Sequence, residues 1–264
     1  MSKLSIASWN MSYWTRNASH HRAWEYLQRL GVHIALVQEA VPPTDVRAVY
    51  RAEGIAGKGV WGSAVASFGP EIRPRTTAKS VHNSVASDLL CTQPGSVAIA
   101  DLVLPGQSPL VLVSLYGAFE QRYSITTVHR ILSDLTPLFD SRHYKKIIVA
   151  GDLNSSTQLP SPDRERHRNL FERIESFGLV DLLKRTADER ERLADCPCED
   201  IPCTHLQTHR HSKSRVPWQD DYIFASEPLA DKLVGCHAVD GGDTNPWSFS
   251  DHCPLVAILD IEVS

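Results

Sequence analysis

Two stretches in the first forty residues have the hydrophobic pattern of strands and end at residues with oxygen-bearing side chains. Residues 4–9 alternate in the manner of a half-buried strand and stop at Asn10. The apolar run at 34–38 stops at Glu39. Each predicted strand therefore delivers one amide or carboxylate group at its end.

Two later apolar runs lie directly beside short carboxylate motifs. The run 147–150 is followed by Gly-Asp-Leu-Asn at 151–154, and Ser-Asp-His-Cys-Pro at 250–254 precedes the run 255–259. Continuous apolar runs of this length are typical of buried strands. Both motifs are therefore predicted at the mouth of a buried strand, where a rigid sheet edge can hold a site.

Helical patterns alternate with these strands. A helix is predicted over residues 20–30, with Ser19 as its N-cap and Gly31 as its stop signal. A longer helix is predicted at 121–140, bent near Pro137. A third has apolar residues at helical spacing before a terminating glycine: Leu170, Phe171, Ile174, Phe177 and Gly178.

The other strand signals predict a mixed sheet. Pro-Gly turns at 94–95 and 105–106 separate neighbouring strand patterns, which indicates antiparallel hairpin connections. Alternation of strands with helices favours one layered α/β domain. The further strands are predicted near 80–90, 96–104, 110–116, 221–224 and 255–261.

The composition is that of an ordinary globular protein and excludes few functions. Of 264 residues, 42% are hydrophobic and 22% are charged, and no apolar run is long enough to span a bilayer. The start of the chain lacks the apolar region of a secretory signal, so we expect a cytoplasmic protein without membrane insertion. The net charge of −4 predicts no general attraction to nucleic acid.

The residues at the strand ends form a set of candidate metal ligands. They offer carboxylate and amide oxygens, and no cysteine needs to join them. Oxygen-rich sets suit Mg²⁺ or Mn²⁺ better than a metal that prefers thiolates. Each residue alone could be a turn or cap residue. The set comprises Asn10, Glu39, Asp152, Asn154 and Asp251, with His252 beside them.

The order of these motifs resembles the endonuclease/exonuclease/phosphatase superfamily. The resemblance implies a two-sheet mixed β-sandwich flanked by helices, the four-layer αββα or DNase I-like fold. It spans nearly the whole chain, so we expect a single catalytic domain over 1–264, with a Cys/His-containing insert at about 184–216. The motifs are Trp9-Asn10, Val37-Gln38-Glu39, Ser114-Leu115-Tyr116, Gly151-Asp152-Leu153-Asn154, Asp221-Tyr222-Ile223-Phe224 and Ser250-Asp251-His252.

The resemblance also implies how the metal and the water are held. Glu39, with help from Asn10 and Asp251, would hold a divalent ion that polarises the phosphate. Asp152 would orient and deprotonate the attacking water, with Asn154 positioning that water. Many family members carry an acidic residue two positions after the asparagine, where this chain has serine. We therefore expect one principal metal ion.

The remaining implied roles concern the phosphate. His252 would hydrogen-bond it, with Asp221 fixing the histidine tautomer. Tyr116 would donate its hydroxyl to a phosphate oxygen, although it could instead be a half-buried packing residue. Neighbours on a strand face opposite ways, so only one of Asp220 and Asp221 is expected in the site. The residue expected in the site is Asp221, because it directly precedes Tyr-Ile-Phe. Asp220 is then expected to be exposed or to lie behind the site.

The insert contains ligand types of a structural zinc site in a spacing that is not a standard finger. A reduced, loop-stabilising or simply buried cysteine cluster is the alternative. The absence of an export signal argues against disulfides. The candidate ligands are Cys196, Cys198, Cys203 and His205, with His209 and His211 as further candidates.

A basic run at 209–215 lies just before the strand of Asp221 and is expected to overhang the site. It could bind nucleic-acid phosphates, or it could be a solvated loop. Three tryptophans near the motifs could stack on bases or a lipid headgroup, although packing is the commoner role: Trp14, Trp218 and Trp247.

The leading hypothesis is a metal-dependent phosphodiesterase, an endonuclease or exonuclease with a DNA or RNA substrate. One alternative is a phosphatase or phosphodiesterase for a small or lipid phosphoester such as an inositol phosphate. The other is a non-catalytic binding module on the same fold. A substrate panel separates the first two, and a metal titration tests the third. The sequence carries no prediction of oligomeric state.

Overall fold

A computed structural model describes residues 2–55, 59–78, 89–120, 124–140, 146–242 and 245–263. Its strands are β1 (Ser2–Asn10), β2 (Ile34–Ala40), β3 (Arg47–Ile55), β4 (Gly59–Ser67), β5 (Glu71–Pro74), β6 (Thr77–Ala78), β7 (Leu89–Leu90), β8 (Val97–Val103), β9 (Leu110–Tyr116), β10 (Ile147–Asp152), β11 (Leu179–Asp181), β12 (Asp221–Ser226), β13 (Leu233–Ala238) and β14 (Leu255–Val263).

The helices lie between these strands. They are α1 (Tyr13–Arg16), α2 (His20–Arg29), α3 (Ile125–Phe139), α4 (Asp163–Ser176), α5 (Leu182–Arg185) and α6 (Glu227–Ala230). Short 3₁₀ turns occur at Asn17–Ser19, Pro94–Ser96, Ala187–Glu189 and Pro246–Ser248. Within the described ranges, no helix is both long and apolar enough to cross a membrane.

The strands form two six-stranded mixed sheets and one two-stranded sheet. The first sheet has the order β13-β14-β1-β2-β4-β3, and the second has the order β11-β12-β10-β9-β8-β5. In the first sheet only β1 and β2 pair in parallel, and in the second only β9 and β10 do among the described strands. These two parallel pairs bring the carboxyl ends of four strands to one edge of the molecule.

The pattern of burial explains the layers. Alternate residues of β1 face opposite ways, so Ile6 packs between the sheets while Trp9 packs outward. Trp9 lies in a cluster with Leu27 of α2, and Ile131 of α3 shares another cluster with Leu170 of α4 on the outer face of the second sheet. Both sheets are therefore covered on both faces. The predicted mixed αββα sandwich is confirmed.

Several predicted helices and strands can be compared directly with those of the structure. The strand predicted at 110–116 is β9, and its antiparallel partner β8 confirms the predicted hairpin. The helix predicted at 20–30 is α2, although Ser19 gives it no side-chain cap. The helix predicted at 121–140 begins at Ile125 and contains Pro137, while residues 121–123 lie outside the described residues. Most of the predicted strand near 80–90 also lies outside them.

Gly151 is required by the close approach of two strands beside the site. Its φ is 154°, and an added Cβ atom would lie 1.8 Å from the carbonyl oxygen of Leu115 in β9. Any larger residue would push β10 away from β9. The glycine therefore allows Asp152, the next residue, to be held at the end of a tightly paired strand.

His20 at the start of α2 is expected to make stability depend on pH. Its Nε2 atom accepts hydrogen bonds from the backbone N–H of Val41 and from the indole of Trp24. Burial lowers the pKa of His20 to about 4, so the fold holds it neutral. This contribution to stability is complete above the unfolded pKa of 6.5 and is lost as the pH falls through 4. The expected loss is roughly 3 kcal/mol.

Urea unfolding at pH 7 and pH 4 measures this effect. His20→Gln keeps an acceptor but cannot titrate, so its free energy of unfolding should fall less between the two pH values than that of the wild type. The exposed His237 in β13 supplies the matched control, His237→Gln. Equal acid losses in wild type and His20→Gln would show that His20 does not carry the effect.

Candidate active site

The site lies where the carboxyl ends of the two parallel strand pairs meet. Asn10 ends β1 and Asp152 ends β10, and the side-chain amide of Asn10 donates a 2.8 Å hydrogen bond to Oδ2 of Asp152. This bond joins the two sheets. Behind it, Gln38 donates to the hydroxyl of Ser114, which donates to the carbonyl of Val37. The edge is therefore cross-linked by polar contacts beneath the site.

Asn10 bridges the two carboxylates through its nitrogen. The same Nδ2 group donates to Oε1 of Glu39 at 3.2 Å, while Oδ1 accepts from the backbone N–H of Ser12 at 2.9 Å. The amide nitrogen, and not the oxygen, thus faces Glu39 and Asp152. In this orientation Asn10 positions both carboxylates.

Asp152 is buried and held from two sides. Oδ1 accepts from the backbone N–H of Asn154 at 2.7 Å, and Oδ2 accepts from the side-chain amide of Asn154 at 3.1 Å. Burial raises the pKa of Asp152 well above its usual value, and the nearby carboxylates Asp221 and Asp220 raise it further, against the opposing effect of His252. The carboxylate is therefore a stronger proton acceptor than an ordinary aspartate.

Glu39 shares its environment with Tyr116. Burial raises the pKa of Glu39, and hydrogen bonds from Tyr116 and Asn10 oppose that rise. The ring of Tyr116 packs edge-on against Trp61, with centroids 5.2 Å apart. Tyr116 thus has the buried ring of a packing residue and a hydroxyl that reaches the site. Burial, followed by the charge of Glu39, raises the pKa of the hydroxyl and keeps it a donor.

His252 forms a tight pair with Asp221. Its Nδ1 lies 2.7 Å from Oδ2 of Asp221, and its Nε2 lies 3.8 Å from Oδ2 of Asp152. Burial alone would lower the pKa of His252, but Asp221 and Asp152 raise it well above the usual value. The imidazole is therefore held as a cation between two carboxylates.

A second histidine–aspartate pair lies against the first. His209 stacks on His252 with ring centroids 4.3 Å apart and an interplanar angle of 5°. Its Nδ1 lies 2.8 Å from Oδ2 of Asp220, which is buried and not exposed. Asp220 precedes β12, so the alternation rule that placed it on the opposite face from Asp221 does not apply to it. The sequence indicates His209 only as part of the basic run and as a zinc candidate, and carries no signal for this pair.

Asp251 is placed beside the same carboxylates. Burial would raise its pKa, but His252, a hydrogen bond from Ser12 and then His209 together hold the pKa below the usual value. The segment is anchored because the hydroxyl of Ser250 donates to the carbonyl of Asn10 at 2.7 Å. Asp251 also raises the pKa of Glu39 through its charge, so the two carboxylates are close enough to repel each other.

Three residues of this edge have left-handed backbone conformations. The φ angles are 49° at Ser12, 45° at Glu39 and 48° at Asn154. Glu39 lies where the pairing of β2 with β4 shifts register between Val37 and Ala40. Non-glycine residues with positive φ are uncommon and concentrate at functional sites. The local backbone therefore aims side chains that a regular strand would point elsewhere.

The donor set fits a hard divalent cation. Glu39, Asp152 and Asp251 bring carboxylates to one place, and Asp220 and Asp221 add two more that are paired with histidines. Negative charge is in excess there, and the donors are oxygens, as Mg²⁺ and Mn²⁺ require. Asp152, Asp221 and His252 also have donor atoms within 4.8 Å of one another. Since the Nδ1–H of His252 is engaged by Asp221, the carboxylates of Glu39 and Asp251 are the better cation ligands.

A cavity of about 430 Å³ opens beside Asn154 and His209. Phe119, which is 60% exposed, and Trp218 supply aromatic surface to its lining. The predicted basic run continues along this side, with Arg210, His211, Lys213 and Arg215 exposed.

The other two tryptophans singled out in the sequence pack against other side chains. Trp247 is buried, and the guanidinium of Arg210 lies 3.9 Å from the centroid of its ring. Trp14 packs edge-on against Trp61, with centroids 5.1 Å apart. Of the three tryptophans, Trp218 is the one that lines the cavity.

The chain belongs to the Endonuclease/Exonuclease/phosphatase family, whose model matches residues 7–252. The enzymes for which this family is named hydrolyse phosphate esters. The comparison with curated protein sequences finds no match.

Three solved structures with the same fold are named as endonucleases. An AP endonuclease from Archaeoglobus fulgidus is 21% identical, with a TM-score of 0.68 over 98% of this chain and 100% of that chain. AP endonuclease LMAP from Leishmania major is 17% identical, with a TM-score of 0.69 over 99% and 89%. The endonuclease domain of TRAS1, a telomere-specific non-LTR retrotransposon, is 17% identical, with a TM-score of 0.67 over 98% and 100%. At these identities the likeness shows the fold.

Proposed function

We propose that the protein is a divalent-metal-dependent phosphodiesterase that hydrolyses nucleic acid. The observation that carries the proposal is the joining of Glu39 and Asp152 by Asn10, directly beside the buried pair of His252 and Asp221. The constellation offers cation ligands, a proton acceptor and a cationic donor within one edge. The nuclease names of the structural neighbours favour the same class of substrate.

Glu39 and Asp251 would hold one principal Mg²⁺ or Mn²⁺ ion, and Asn10 would keep Glu39 in place. When bound, such an ion polarises the phosphate and stabilises the leaving oxygen. The position two residues after Asn10 is Ser12, whose hydroxyl hydrogen-bonds Asp251 and adds no further charge. This supports one strongly held ion in preference to two.

Asp152 would accept the proton of the attacking water. Its raised pKa makes it a better base, and both of its oxygens are oriented by Asn154. A general base must lie within hydrogen-bond reach of the water it deprotonates, so a carboxylate held in a fixed orientation suits this role. Asn154 would therefore act by positioning both the carboxylate and the water.

His252 and Tyr116 would contact the phosphate. His252 is held as a cation by Asp221, so Nε2–H can donate a charge-assisted hydrogen bond to a phosphate oxygen. Tyr116 keeps its proton because burial and Glu39 raise its pKa, and its hydroxyl can donate to a second oxygen. Both donors stabilise negative charge that grows at the phosphate during attack.

The surroundings of the site favour a nucleotide polymer over a small phosphoester. An aromatic-lined cavity beside the catalytic residues can receive a base or sugar, and stacking on an aromatic ring contributes about 1–3 kcal/mol per base. The exposed residues Arg210, Lys213 and Arg215 can bind flanking phosphates. Their positive charge is local, so it can attract phosphates although the whole chain has a net charge of −4.

Trp218→Ala tests the polymer substrate. The expected result is a rise in KM for an oligonucleotide of roughly 5- to 100-fold, because a stacking surface is lost. Hydrolysis of a small chromogenic phosphodiester, which has no base to stack, should keep its rate. Phe177→Ala is the matched control, because Phe177 packs against Phe139 in the outer helical layer.

Steady-state kinetics on the oligonucleotide and on small phosphoesters distinguishes the proposed functions. A KM for the oligonucleotide that is unchanged in Trp218→Ala contradicts the stacking role. Wild-type activity confined to inositol phosphates or other small phosphoesters contradicts the nucleic-acid substrate and favours the phosphatase class. A calorimetric titration showing that Mg²⁺ and Mn²⁺ do not bind would support the binding module.

A further inference from the structure

Residues 190–220 form a long irregular segment that is tied together by a sulfur-rich cluster. The segment runs from the 3₁₀ turn at Ala187–Glu189 to β12 and contains no helix or strand. Long segments without regular structure need another source of order. Ile201 within it is 88% exposed, so that side chain adds little to a core. The cluster consists of Cys196, Cys198, Cys203 and His205.

The four side chains converge on one point with the dimensions of a metal site. All four donor atoms lie within 4.8 Å of one another. Nδ1 of His205 lies 3.7 Å from the sulfur of Cys196 and 3.6 Å from that of Cys203. Tetrahedral zinc, with its usual bond lengths, would place nitrogen and sulfur ligands roughly 3.6 Å apart. The cluster matches this separation, and the three cysteines are free thiols.

Groups around the cluster hydrogen-bond three of the four ligand residues. Nε2 of His205 lies 2.9 Å from the hydroxyl of Thr157, so Nε2–H donation leaves the lone pair of Nδ1 facing the sulfurs. The amide of Gln158 and the backbone N–H of Cys198 donate to the sulfur of Cys196. The backbone N–H of Asp200 donates to the sulfur of Cys198. Hydrogen bonds of this kind orient ligands and stabilise thiolates in metal sites.

We propose that Cys196, Cys198, Cys203 and His205 bind one structural zinc ion. Three thiolates and an imidazole select zinc over Mg²⁺ or Mn²⁺, so this site differs in kind from the oxygen-rich catalytic edge. Four protein ligands complete a tetrahedron and leave no position for substrate. The tight spacing of Cys196 and Cys198, which is unusual for a zinc finger, is accommodated because the segment bends around the cluster.

The zinc site supports the catalytic edge through Gln158. While its amide nitrogen contacts Cys196 and the carbonyl of Pro217, its Oε1 accepts from the backbone N–H of Gln219 at 2.7 Å. Gln219 immediately precedes the two aspartates that pair with His209 and His252. The ion therefore fixes the irregular segment against the loop that follows Asn154. The zinc assignment itself does not depend on the proposed substrate.

Zinc content is the test. The full chain, purified without chelator, is expected to contain about one zinc per chain by inductively coupled plasma mass spectrometry. Cys203→Ala and His205→Ala should lose it. His205→Cys should retain it, because Cys₄ is also a zinc ligand set. Cys91→Ala is the matched control, since Cys91 is a buried cysteine outside the cluster.

Cobalt substitution keeps the proposal testable if a variant fails to fold. Wild-type protein loaded with Co²⁺ should show thiolate-to-cobalt charge-transfer absorption and the strong visible bands of a tetrahedral ion. Wild type without zinc and without this spectrum would overturn the proposal. Zinc retained equally by wild type and Cys203→Ala would also overturn it, because the ion would then lie elsewhere.

Discussion

Replacing Asp152 with Asn is expected to lower kcat for phosphodiester hydrolysis by roughly 10²- to 10⁴-fold, the range typical for a general base. The amide keeps the shape of the side chain but cannot accept the proton of the attacking water. Substrate binding should change much less than kcat, because the amide has nearly the same volume as the carboxylate, although only one of its two groups can accept the N–H bonds that both oxygens of Asp152 accept. Steady-state kinetics on a labelled oligonucleotide with Mg²⁺ provides the measurement.

Thermal unfolding separates this effect from damage to the fold. Burial and nearby carboxylates disfavour the charged form of Asp152, so a neutral amide at this position relieves repulsion. The midpoint of Asp152→Asn should stay close to that of the wild type, because the relief of repulsion is offset by the hydrogen bonds that the NH2 group of the amide cannot accept. Full activity in a well-folded Asp152→Asn protein would remove Asp152 from the mechanism.

Asp221→Asn is expected to produce the second large loss, about 10²- to 10⁴-fold in kcat. Asp221 accepts from Nδ1–H of His252 at 2.7 Å and holds both its tautomer and its charge. An asparagine carries no charge, so the imidazole is no longer held as a cation. If the amide oxygen accepts from Nδ1–H, the neutral Nε2 has no proton to donate to the phosphate. If the amide N–H faces Nδ1 instead, Nε2–H donates without charge assistance. Loss of the orienting carboxylate in a hydrolase triad has effects of this size.

Asp220→Asn is the matched control for that prediction. Asp220 is the adjacent carboxylate, is also buried, and pairs with His209 at a similar distance. Asp220 pairs with His209, and the ring of His209 stacks on that of His252, so Asp220 does not itself hold the His252 ring. Asp220→Asn should therefore cost far less activity than Asp221→Asn. Equal losses in the two variants would contradict the assignment of His252 as the phosphate donor.

The sequence predicted the fold because its signals are local. Strand ends can be recognised from apolar runs that stop at polar residues, and parallel pairing of β1 with β2 and of β9 with β10 then gathers those ends at one edge. The family model and the two sheets confirm the class and the fold. The site residues Asn10, Glu39 and Asp152 are brought together as expected, and their roles stay predictions.

Other features depend on contacts between distant segments and were not visible in the sequence. The stacking of His209 on His252 requires the irregular segment before β12 to fold back over the site. The orientation of the Asn10 amide follows from the backbone of Ser12, and the direction of Glu39 follows from a local left-handed conformation. The expected position of Asp220 is wrong because alternation holds only within a strand, and Asp220 lies one residue before β12 begins.

The most direct test of the account is metal-dependent cleavage of end-labelled single- and double-stranded DNA, abasic duplex and RNA. Wild-type protein should cleave at least one of these with Mg²⁺ or Mn²⁺, lose the activity in chelator and regain it when the ion is restored. Asp152→Asn should cleave at least about 10²-fold more slowly under the same conditions. Cleavage that persists in chelator or at the wild-type rate in Asp152→Asn, or silence across all four nucleic acids, would contradict a metal-dependent nuclease.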